Sequence, residues 1–349
     1  MNLDDLLKQT SGWLKGTGSH SEIIFSSRVR LARNLEKIIF SNLASKAQLM
    51  QTLSIVEPAL KSLEAIKKDG LFLKMEDISE VNSQLLIERH LISKELINDK
   101  IGRAVAISSD ETVSIMVNEE DHLRLQVLKP GFSLEDCWKA AEKIDSALEK
   151  KLNFAFSAKL GYLTACPTNT GTGMRASVML HLPALVLTKQ INRVIQAIVK
   201  LGLTVRGLFG EGTEATGNFF QISNQVSLGR SEMEIIDNIK RIINQVFEYE
   251  QNARQTLSTK NKSKLEDQVW RSYGILKNAR IITSSEAIEL LSNVRLGFDL
   301  GLLKGANQET INELFILTQP AHLQKLEEKT LTANKRDIKR AELIRQKMK

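Results

Sequence analysis

Five arginines stand in short motifs where a bound phosphate group would need them. Arg28 and Arg30 lie in "SSRVR", Arg124 follows "NEEDHL", Arg175 follows "GTGM", and Arg206 lies in "VRGLFG". A guanidinium group keeps its charge at physiological pH, and its planar fork matches two phosphate oxygens. Taken singly, each arginine is more often half of a surface salt bridge. Together, the five could hold a polyphosphate.

Two acidic motifs and one thiol complete the set of reactive side chains. Glu120 lies in "NEEDH", and Glu211 lies in "GEGTEATGN". A bound triphosphate repels a nearby carboxylate, so these residues require a cation in between, either Mg²⁺ or a guanidinium group. Cys166, in "CPTNTGTGMRAS", is either a small buried apolar residue or a thiol whose pKa is lowered by basic neighbours and a helix start.

The glycines of this last stretch do not predict a dinucleotide site. "GTGMRA" fits Gly-x-Gly-x-x-Ala and precedes a helix-like run, but that fingerprint needs an acidic residue about 20 positions later. The chain has "QINRVI" there, and it contains no Gly-x-x-x-x-Gly-Lys-Ser/Thr motif. We expect tight turns at Gly171 and Gly173 to let the backbone approach a phosphate.

Composition indicates an ordinary globular protein of 349 residues, of which 42% are hydrophobic and 26% charged. No apolar run approaches the ~20 residues of a membrane span, and Asp4 and Asp5 stand where a signal peptide carries basic residues. We therefore expect a cytoplasmic protein without membrane contact. Cys137 and Cys166 are the only cysteines, which predicts neither a disulfide framework nor a metal site.

The net charge of +7 is unevenly distributed along the chain. Residues 150–210 contain no Asp or Glu but several Lys and Arg, which predicts a field that attracts a small anion. "KRDIKRAELIRQKMK" at the C-terminus holds most of the remaining excess, and a solvated helix face would explain it equally well. Binding of nucleic acid is the alternative interpretation of these charges.

Hydrophobic periodicity predicts an α+β fold, an antiparallel sheet flanked by helices, over residues 1–255. Alternation between 103 and 128 predicts antiparallel strands, whereas helical spacing dominates from 46 to 68. Ser133, with Asp136 three positions later, predicts a helix that begins close to a capping box.

The remaining residues, 256–349, predict a separate all-helical domain with a partner or dimer surface. A long helix is expected from about 231 to 257, and "RQTLSTKNKSK" is expected to be a linker or an exposed turn. Beyond it, apolar residues recur at i, i+3, i+4 and i+7 without strand-like alternation.

Four motifs together resemble those of the ATP:guanidino phosphotransferases, the family of creatine and arginine kinases. They are "SSRVRLARN", "VNEEDHLR", "CPTNTGTGMRAS" and "RGLFGEGTEATGNFFQISNQ", and they occur in the family's order. The chain is most similar to the bacterial branch that phosphorylates arginine side chains of proteins. The first motif begins at Ser26, too early for the leading helical domain of creatine-type kinases, and "RDIKRA" resembles that branch's phosphoarginine-sensing motif.

The resemblance implies ATP and Mg²⁺ as cofactors and assigns roles to residues, none of them a metal ligand. It implies that Glu120, Glu211 and Cys166 are catalytic and that Arg336, Asp337 and Arg340 bind phosphoarginine. It implies an ATP site formed by Ser26, Ser27, Arg28, Val29, Arg30, His90, Arg124, Arg175, Ala176, Ser177, Val178, Met179, Arg206, Gly207, Leu208, Phe209 and Gly210.

The acceptor's chemistry explains why two glutamates would be needed. Arginine has a pKa above about 12, so fewer than about one guanidinium in 10⁵ is neutral at pH 7. The proton is therefore transferred late, when bonding to phosphorus has acidified the nitrogen. We expect Glu120 to collect it while Glu211 fixes the planar fork, and a cysteine thiolate to polarise the guanidinium.

The partners expected from the resemblance are proteins with exposed arginines, an activator protein and a Clp-type ATPase or protease. The products would mark stress regulators or Clp substrates. A homodimer or higher oligomer is expected, with no membrane and no direct nucleic-acid contact. The alternatives are a small-molecule guanidino kinase and a non-catalytic adaptor or nucleic-acid-binding regulator.

Overall fold

A computed structural model describes residues 2–7, 9–207, 216–305 and 308–348. Its strands are β1 (Ile24–Arg33), β2 (Leu71–Lys74), β3 (Ala104–Ile107), β4 (Val113–Val117), β5 (Leu123–Pro130), β6 (Phe156–Ser157), β7 (Gly161–Tyr162), β8 (Met174–His181), β9 (Leu203–Arg206) and β10 (Phe219–Asn224). Its α-helices are α1 (Lys46–Lys61), α2 (Glu64–Lys67), α3 (Glu80–Glu88), α4 (Leu134–Glu149), α5 (Pro183–Leu187), α6 (Ile191–Lys200), α7 (Glu232–Lys260), α8 (Lys262–Asn278), α9 (Ser284–Asp299), α10 (Gln308–Leu317), α11 (Pro320–Leu326) and α12 (Ala333–Lys347).

Eight of the described strands form one antiparallel sheet in the order β2-β3-β4-β5-β1-β8-β10-β9. The longest strand, β1, is central and pairs with β5 and β8. This architecture confirms the predicted α+β class, including the antiparallel strands expected between 103 and 128.

The two faces of β1 differ because successive side chains of a strand point to opposite sides. Val29 and Leu31 are fully buried in the core, which α4 covers. Arg28 and Arg30 are only partly buried and line a cleft on the other face. The sheet thus separates an apolar layer from a polar one.

Two local predictions were wrong. Ser133 occupies the N-cap position of α4, but its hydroxyl donates to the carbonyl of Pro130 (2.8 Å) and caps no backbone N–H group. The run after "GTG" is strand β8 and not a helix, because Met174 pairs with Leu31 at the start of a ladder between β8 and β1.

The C-terminal region is helical, and the described residues beyond Asn224 form no strand. Of the predicted linker or exposed turn, the structure has the turn, since α7 continues to Lys260, α8 begins at Lys262 and Asn261 between them is exposed. Only Asn261 interrupts the helical run. The apolar core is continuous from the sheet into α8, α9, α10 and α12.

Candidate active site

A cleft of about 830 Å³ opens on the polar face of the sheet. Side chains from six adjacent strands line it, in the order β4, β5, β1, β8, β10 and β9. The residues after α3 and the turn around Cys166 contribute to its walls. The β-ladder therefore brings together motifs that lie far apart in the sequence.

The predicted arginines meet in this cleft. Arg30 pairs across the strands with Arg175, and Arg28 pairs with Ser177. Arg206, on the edge strand β9, also lines the cleft. Because successive side chains of a strand point to opposite faces, the alternation within these strands directs all of them to the same side.

Burial and mutual repulsion make the charged forms of these arginines unfavourable. Burial, together with Arg124, Arg175 and Arg206, lowers the pKa of Arg28 to about 9. Burial, Arg28, Arg124 and Arg175 lower the pKa of Arg30 well below its usual value, partly offset by Glu119. Within the described residues, Arg30 Nε has no hydrogen-bond partner, and neither Arg28 nor Arg30 forms an ion pair. Such an array favours an anionic ligand.

Neutral side chains orient the guanidinium groups. Arg28 donates to Ser177 Oγ and Gln126 Oε1, both at 3.4 Å. Arg175 donates to Ser223 Oγ (3.1 Å) and Thr204 Oγ1 (3.2 Å). Because hydroxyl and amide groups fix orientation without cancelling charge, the array keeps its positive potential.

One end of the cleft is aromatic. Trp13 and His90 lie 5.4 Å apart edge to face, and Trp13 packs at 5.8 Å on Phe25. Burial and the neighbouring Arg28 lower the pKa of His90 to about 4, so its imidazole is neutral at pH 7. Ser26 and Met179 lie across the strands from each other at this end. Nothing in the spacing of the sequence indicated Trp13 or Phe25.

The acidic end lies near Arg30 and contains Glu119 and Glu120. Glu119 is buried and accepts from Arg124 Nη1 (2.5 Å) and Ser93 Oγ (2.6 Å). Glu120 Oε2 lies 3.8 Å from Arg124 Nη2, and 40% of its side chain is exposed. The two neighbours therefore differ: Glu119 fixes Arg124, while Glu120 is accessible from the cleft. The role of Glu119 was not predicted from the sequence.

Cys166 lies on the cleft wall, before a three-residue 3₁₀ turn at Pro167–Asn169. Its sulfur is 3.0 Å from Thr168 Oγ1. The predicted helix start is therefore wrong, because a turn this short is followed by further turns and strand β8. The chain's other thiol, Cys137, is buried in α4, and burial raises its pKa to about 12.

The glycines after Cys166 are required by neighbouring protein backbone. Gly171 has φ = 115°, and a Cβ there would lie 2.8 Å from Leu228 Cα. Gly173 has φ = 65°, and a Cβ there would lie 2.6 Å from both the Ala32 carbonyl oxygen and Arg33 Nη1. Both positions thus close the turn against the body of the protein.

Four residues of the predicted nucleotide site direct their side chains away from the cleft. Ser27, Val29, Ala176 and Val178 alternate with the cleft-lining residues and are buried on the opposite face. Their side chains cannot touch a ligand in the cleft. Gly207 is buried after β9, and Leu208, Phe209, Gly210 and Glu211 lie outside the described residues.

The C-terminal motif lies on α12. Arg340 is 1% exposed and donates to the carbonyls of Thr318 (2.8 Å) and Ile282 (2.9 Å) as well as to Asp337 Oδ1 (2.5 Å). Arg336 is partly buried and donates to the Leu331 carbonyl (2.7 Å). Arg340 therefore anchors α12 and holds the Asp337 carboxylate in place.

No described helix has the length and apolar composition needed to cross a membrane. No group of three or more His, Cys, Asp or Glu within the described part of the chain could hold a metal ion.

Comparison with family models divides the chain into two matched segments. Residues 51–253 match the ATP:guanido phosphotransferase, C-terminal catalytic domain. Residues 262–349 match the Protein-arginine kinase McsB C-terminal domain.

The chain also matches curated proteins over nearly its full length. It is 50% identical to a protein-arginine kinase of Halothermothrix orenii, covering 100% of this chain and 99% of that protein. It is 48% identical to a protein-arginine kinase of Bacillus subtilis, covering 97% and 93%, respectively.

Solved structures show a similar fold. The duplicated taurocyamine kinase from Schistosoma mansoni is 29% identical with a TM-score of 0.61, covering 70% of this chain and 35% of that one. Lombricine kinase is 23% identical with a TM-score of 0.59, covering 72% and 70%. From the matched segments and these relatives, we conclude that the chain belongs to the ATP:guanido phosphotransferase family.

Proposed function

We propose that this protein is an ATP-dependent protein arginine kinase, which transfers the γ-phosphoryl group of ATP to arginine side chains of other proteins. The observation that carries the proposal is a single cleft in which an array of arginines adjoins Glu120 and Cys166. The family match supports the transferase chemistry, and the named relatives support arginine in proteins as the acceptor.

The polarity of the cleft orients the nucleotide. The base would lie at the aromatic end beside Trp13, Phe25 and His90, since apolar and aromatic surfaces suit a nucleobase. The phosphates would lie over Arg28 and Arg30, where anions relieve the mutual repulsion of the guanidinium groups. The γ-phosphoryl would then point toward the acidic end.

The acceptor guanidinium would enter between Glu120 and Cys166. The accessible carboxylate of Glu120 would take the proton as the N–P bond forms, and Arg124 would steady the transferring group from the position that Glu119 fixes. We propose that Glu211, which lies outside the described residues, fixes the second edge of the guanidinium fork.

Mg²⁺ is proposed as the second cofactor. It commonly keeps several water ligands and binds substrate phosphates through few protein groups. Since the described residues offer no cluster of three or more potential ligands, the ion would reach the site on the phosphates of ATP. When bound, it would neutralise part of the phosphate charge.

The experiment incubates the protein with γ-labelled ATP and either an unfolded protein or free arginine. We expect an acid-labile label on arginines of the protein substrate, because P–N bonds break in acid whereas phosphoserine largely persists. Glu120→Gln should lower kcat by roughly 10²–10⁴-fold, as for loss of a general base. Wild-type enzyme that labels no arginine would contradict the proposal.

A small-molecule guanidino kinase is the second candidate, favoured by the structural likeness to taurocyamine kinase. In the same assay, a label on free arginine alone would favour it. A non-catalytic nucleic-acid-binding regulator would instead show DNA binding that falls steeply with salt, without phosphoryl transfer.

Phosphoarginine binding at α12 is a further part of the proposal. Asp337 would face the guanidinium part and Arg336 the phosphoryl part, while Arg340 would act mainly by holding Asp337. Isothermal titration of phosphoarginine into Arg336→Ala and Asp337→Ala should show weakened binding, and wild-type affinity in both would exclude this site. We also propose a cytoplasmic location, an activator protein, Clp-type partners, a role in stress regulation and assembly into dimers or larger oligomers.

A further inference from the structure

Three consecutive residues at the end of α3 reach three different parts of the molecule. Glu88 contacts α11 of the C-terminal region, Arg89 contacts the N-terminal segment and Glu111, and His90 lines the cleft. His90 has φ = 59°, a left-handed conformation that ends the helix and turns its side chain away from the direction of Glu88 and Arg89.

Glu88 binds the start of α11 through both of its carboxylate oxygens. The backbone N–H groups of Ala321 and His322 donate to it at 2.9 and 3.1 Å, and His322 Nδ1 lies 2.8 Å from Glu88 Oε2. Glu88 is 4% exposed and His322 is fully buried. A carboxylate with this many internal partners is costly to disturb.

Arg89 connects the same histidine to the segment that carries Trp13. Its guanidinium binds both oxygens of Glu111 (2.5 and 2.6 Å) and donates to Ser11 Oγ (2.7 Å). Arg89 Nη1 also lies 3.4 Å from His322 Nε2. Ser11 Oγ donates to Glu111 in turn (2.9 Å), so the chain two residues before Trp13 is fixed.

The aromatic wall of the cleft depends on these contacts. Trp13 and His90 pack edge to face, and the His90 carbonyl accepts from Gln126 Nε2 (2.8 Å) on the sheet. Trp13 is 2% exposed, and its Nε1 has no hydrogen-bond partner among the described residues. Trp13 and His90 lie on no strand of the sheet. Their neighbours Glu88 and Arg89 instead connect them to His322 in the C-terminal region.

We propose that Glu88, Arg89 and His322 are positioning residues for nucleotide binding, which fix the Trp13–His90 wall by connecting the end of α3 to the C-terminal helical region. This inference rests on the proposed function, because it assumes that the nucleotide base binds at the aromatic end. ATP affinity would then depend on how α11 packs against the end of α3. The carbonyl of Thr318, two residues before α11, accepts a hydrogen bond from Arg340 of α12.

The test compares two buried carboxylates that each bind the first turn of a short helix. Glu250 accepts from the N–H groups of Ala184 (3.0 Å) and Leu185 (2.9 Å) of α5, and none of these three residues lines the cleft. Glu88→Gln should raise the Kd and KM for ATP by roughly three- to thirtyfold while kcat at saturating ATP is retained. Glu250→Gln should lower the thermal midpoint similarly without changing either constant.

Two further measurements separate positioning from general destabilisation. His322→Leu should reproduce the higher KM, whereas His322→Asn, which keeps a donor near Nδ1, should restore part of the affinity. In a double-mutant cycle with His90→Ala, Glu88→Gln should add little, because both act on the same wall. Any of three results would overturn the inference. The first is wild-type ATP affinity in both Glu88→Gln and His322→Leu, and the second is an equal change of ATP affinity in Glu88→Gln and Glu250→Gln. The third is full additivity of Glu88→Gln with His90→Ala.

The same data distinguish failure of this inference from failure of the proposed site. If Arg28→Met and His90→Ala bind ATP as tightly as wild type, the nucleotide does not bind in the cleft, and both proposals fail. If those variants bind weakly while Glu88→Gln and His322→Leu bind normally, only the positioning role is wrong.

Discussion

Arginines on the two faces of strand β1 have opposite environments. Arg33, on the core face, is 2% exposed and binds both oxygens of Asp145 (2.7 and 3.0 Å). It also donates to the carbonyls of Ala32 and Thr172 and stacks 3.5 Å from the Tyr162 ring centroid. Arg30, three residues earlier, forms no ion pair within the described residues and is surrounded by other arginines.

This difference separates a structural arginine from a ligand-binding one. The charge of Arg33 is neutralised inside the protein, so its side chain stabilises the fold without any ligand. The charge of Arg30 is repelled by Arg28, Arg124 and Arg175, so the folded protein holds it at a cost that an anion can offset. Counting the arginines in a motif does not separate the two kinds. The carboxylates and carbonyls that each guanidinium contacts inside the protein do separate them.

The sharpest test of the comparison is Arg30→Met. Loss of one phosphate-binding arginine should lower kcat/KM for ATP by about 10³-fold or more. A guanidinium whose pKa falls on folding destabilises the folded protein below that pKa, so removing it should leave the thermal midpoint of the free protein unchanged or raised. Steady-state kinetics and thermal unfolding would measure both effects. A lower thermal midpoint with wild-type kcat/KM would contradict the assignment of Arg30 as a ligand-binding residue.

The matched variant on the other face is Arg33→Met. It leaves the Asp145 carboxylate buried without its partner, which should lower the free energy of unfolding by about 3 kcal/mol. Chemical denaturation would measure the loss. Because Arg33 does not line the cleft, the KM for ATP should stay near the wild-type value wherever the variant is folded. A large change in KM with full stability would reverse the roles of the two faces.

Anions should stabilise the wild-type protein through the same array. At a concentration 100 times its Kd, ATP or inorganic triphosphate should add about 2.7 kcal/mol to the free energy of unfolding. Arg30→Met should lose most of this gain at the same ligand concentration, whereas Arg33→Met should keep it. An equal gain in all three proteins would place the anion elsewhere.

The sequence was informative wherever local spacing determines direction. Period-two alternation within the strands directs Arg28, Arg30 and Arg175 to one face, so their convergence follows from the antiparallel fold. The same alternation excludes the side chains of Val29 and Val178 from the cleft. That distinction could have been drawn from the sequence once the strands were recognised.

The rest of the site depends on contacts between residues far apart in the chain. Glu88 meets His322 across more than 230 positions, and Trp13 contacts His90 from an N-terminal segment whose Ser11 accepts a hydrogen bond from Arg89. Neither contact leaves a periodic pattern. The stretch after Arg254 is a turn and not a linker for a similar reason, since packing of α7 and α8 into the common core overrides a polar local sequence.

The smallest expected effect extends the comparison to the two thiols. At pH 8, only about one Cys137 thiol in 10⁴ would be ionised given its raised pKa, whereas Cys166 lies at the cleft wall. Iodoacetamide should therefore label Cys166 alone, and mass spectrometry of the digested protein would locate the label. Cys166→Ser should lower kcat by about tenfold, the worth of one hydrogen bond to a charged group, and should leave Cys137 unlabelled.

Labelling of Cys137 in the folded protein would show that burial does not separate the two thiols. Unchanged kcat in Cys166→Ser would remove that thiol from the acceptor site while leaving the arginine array intact.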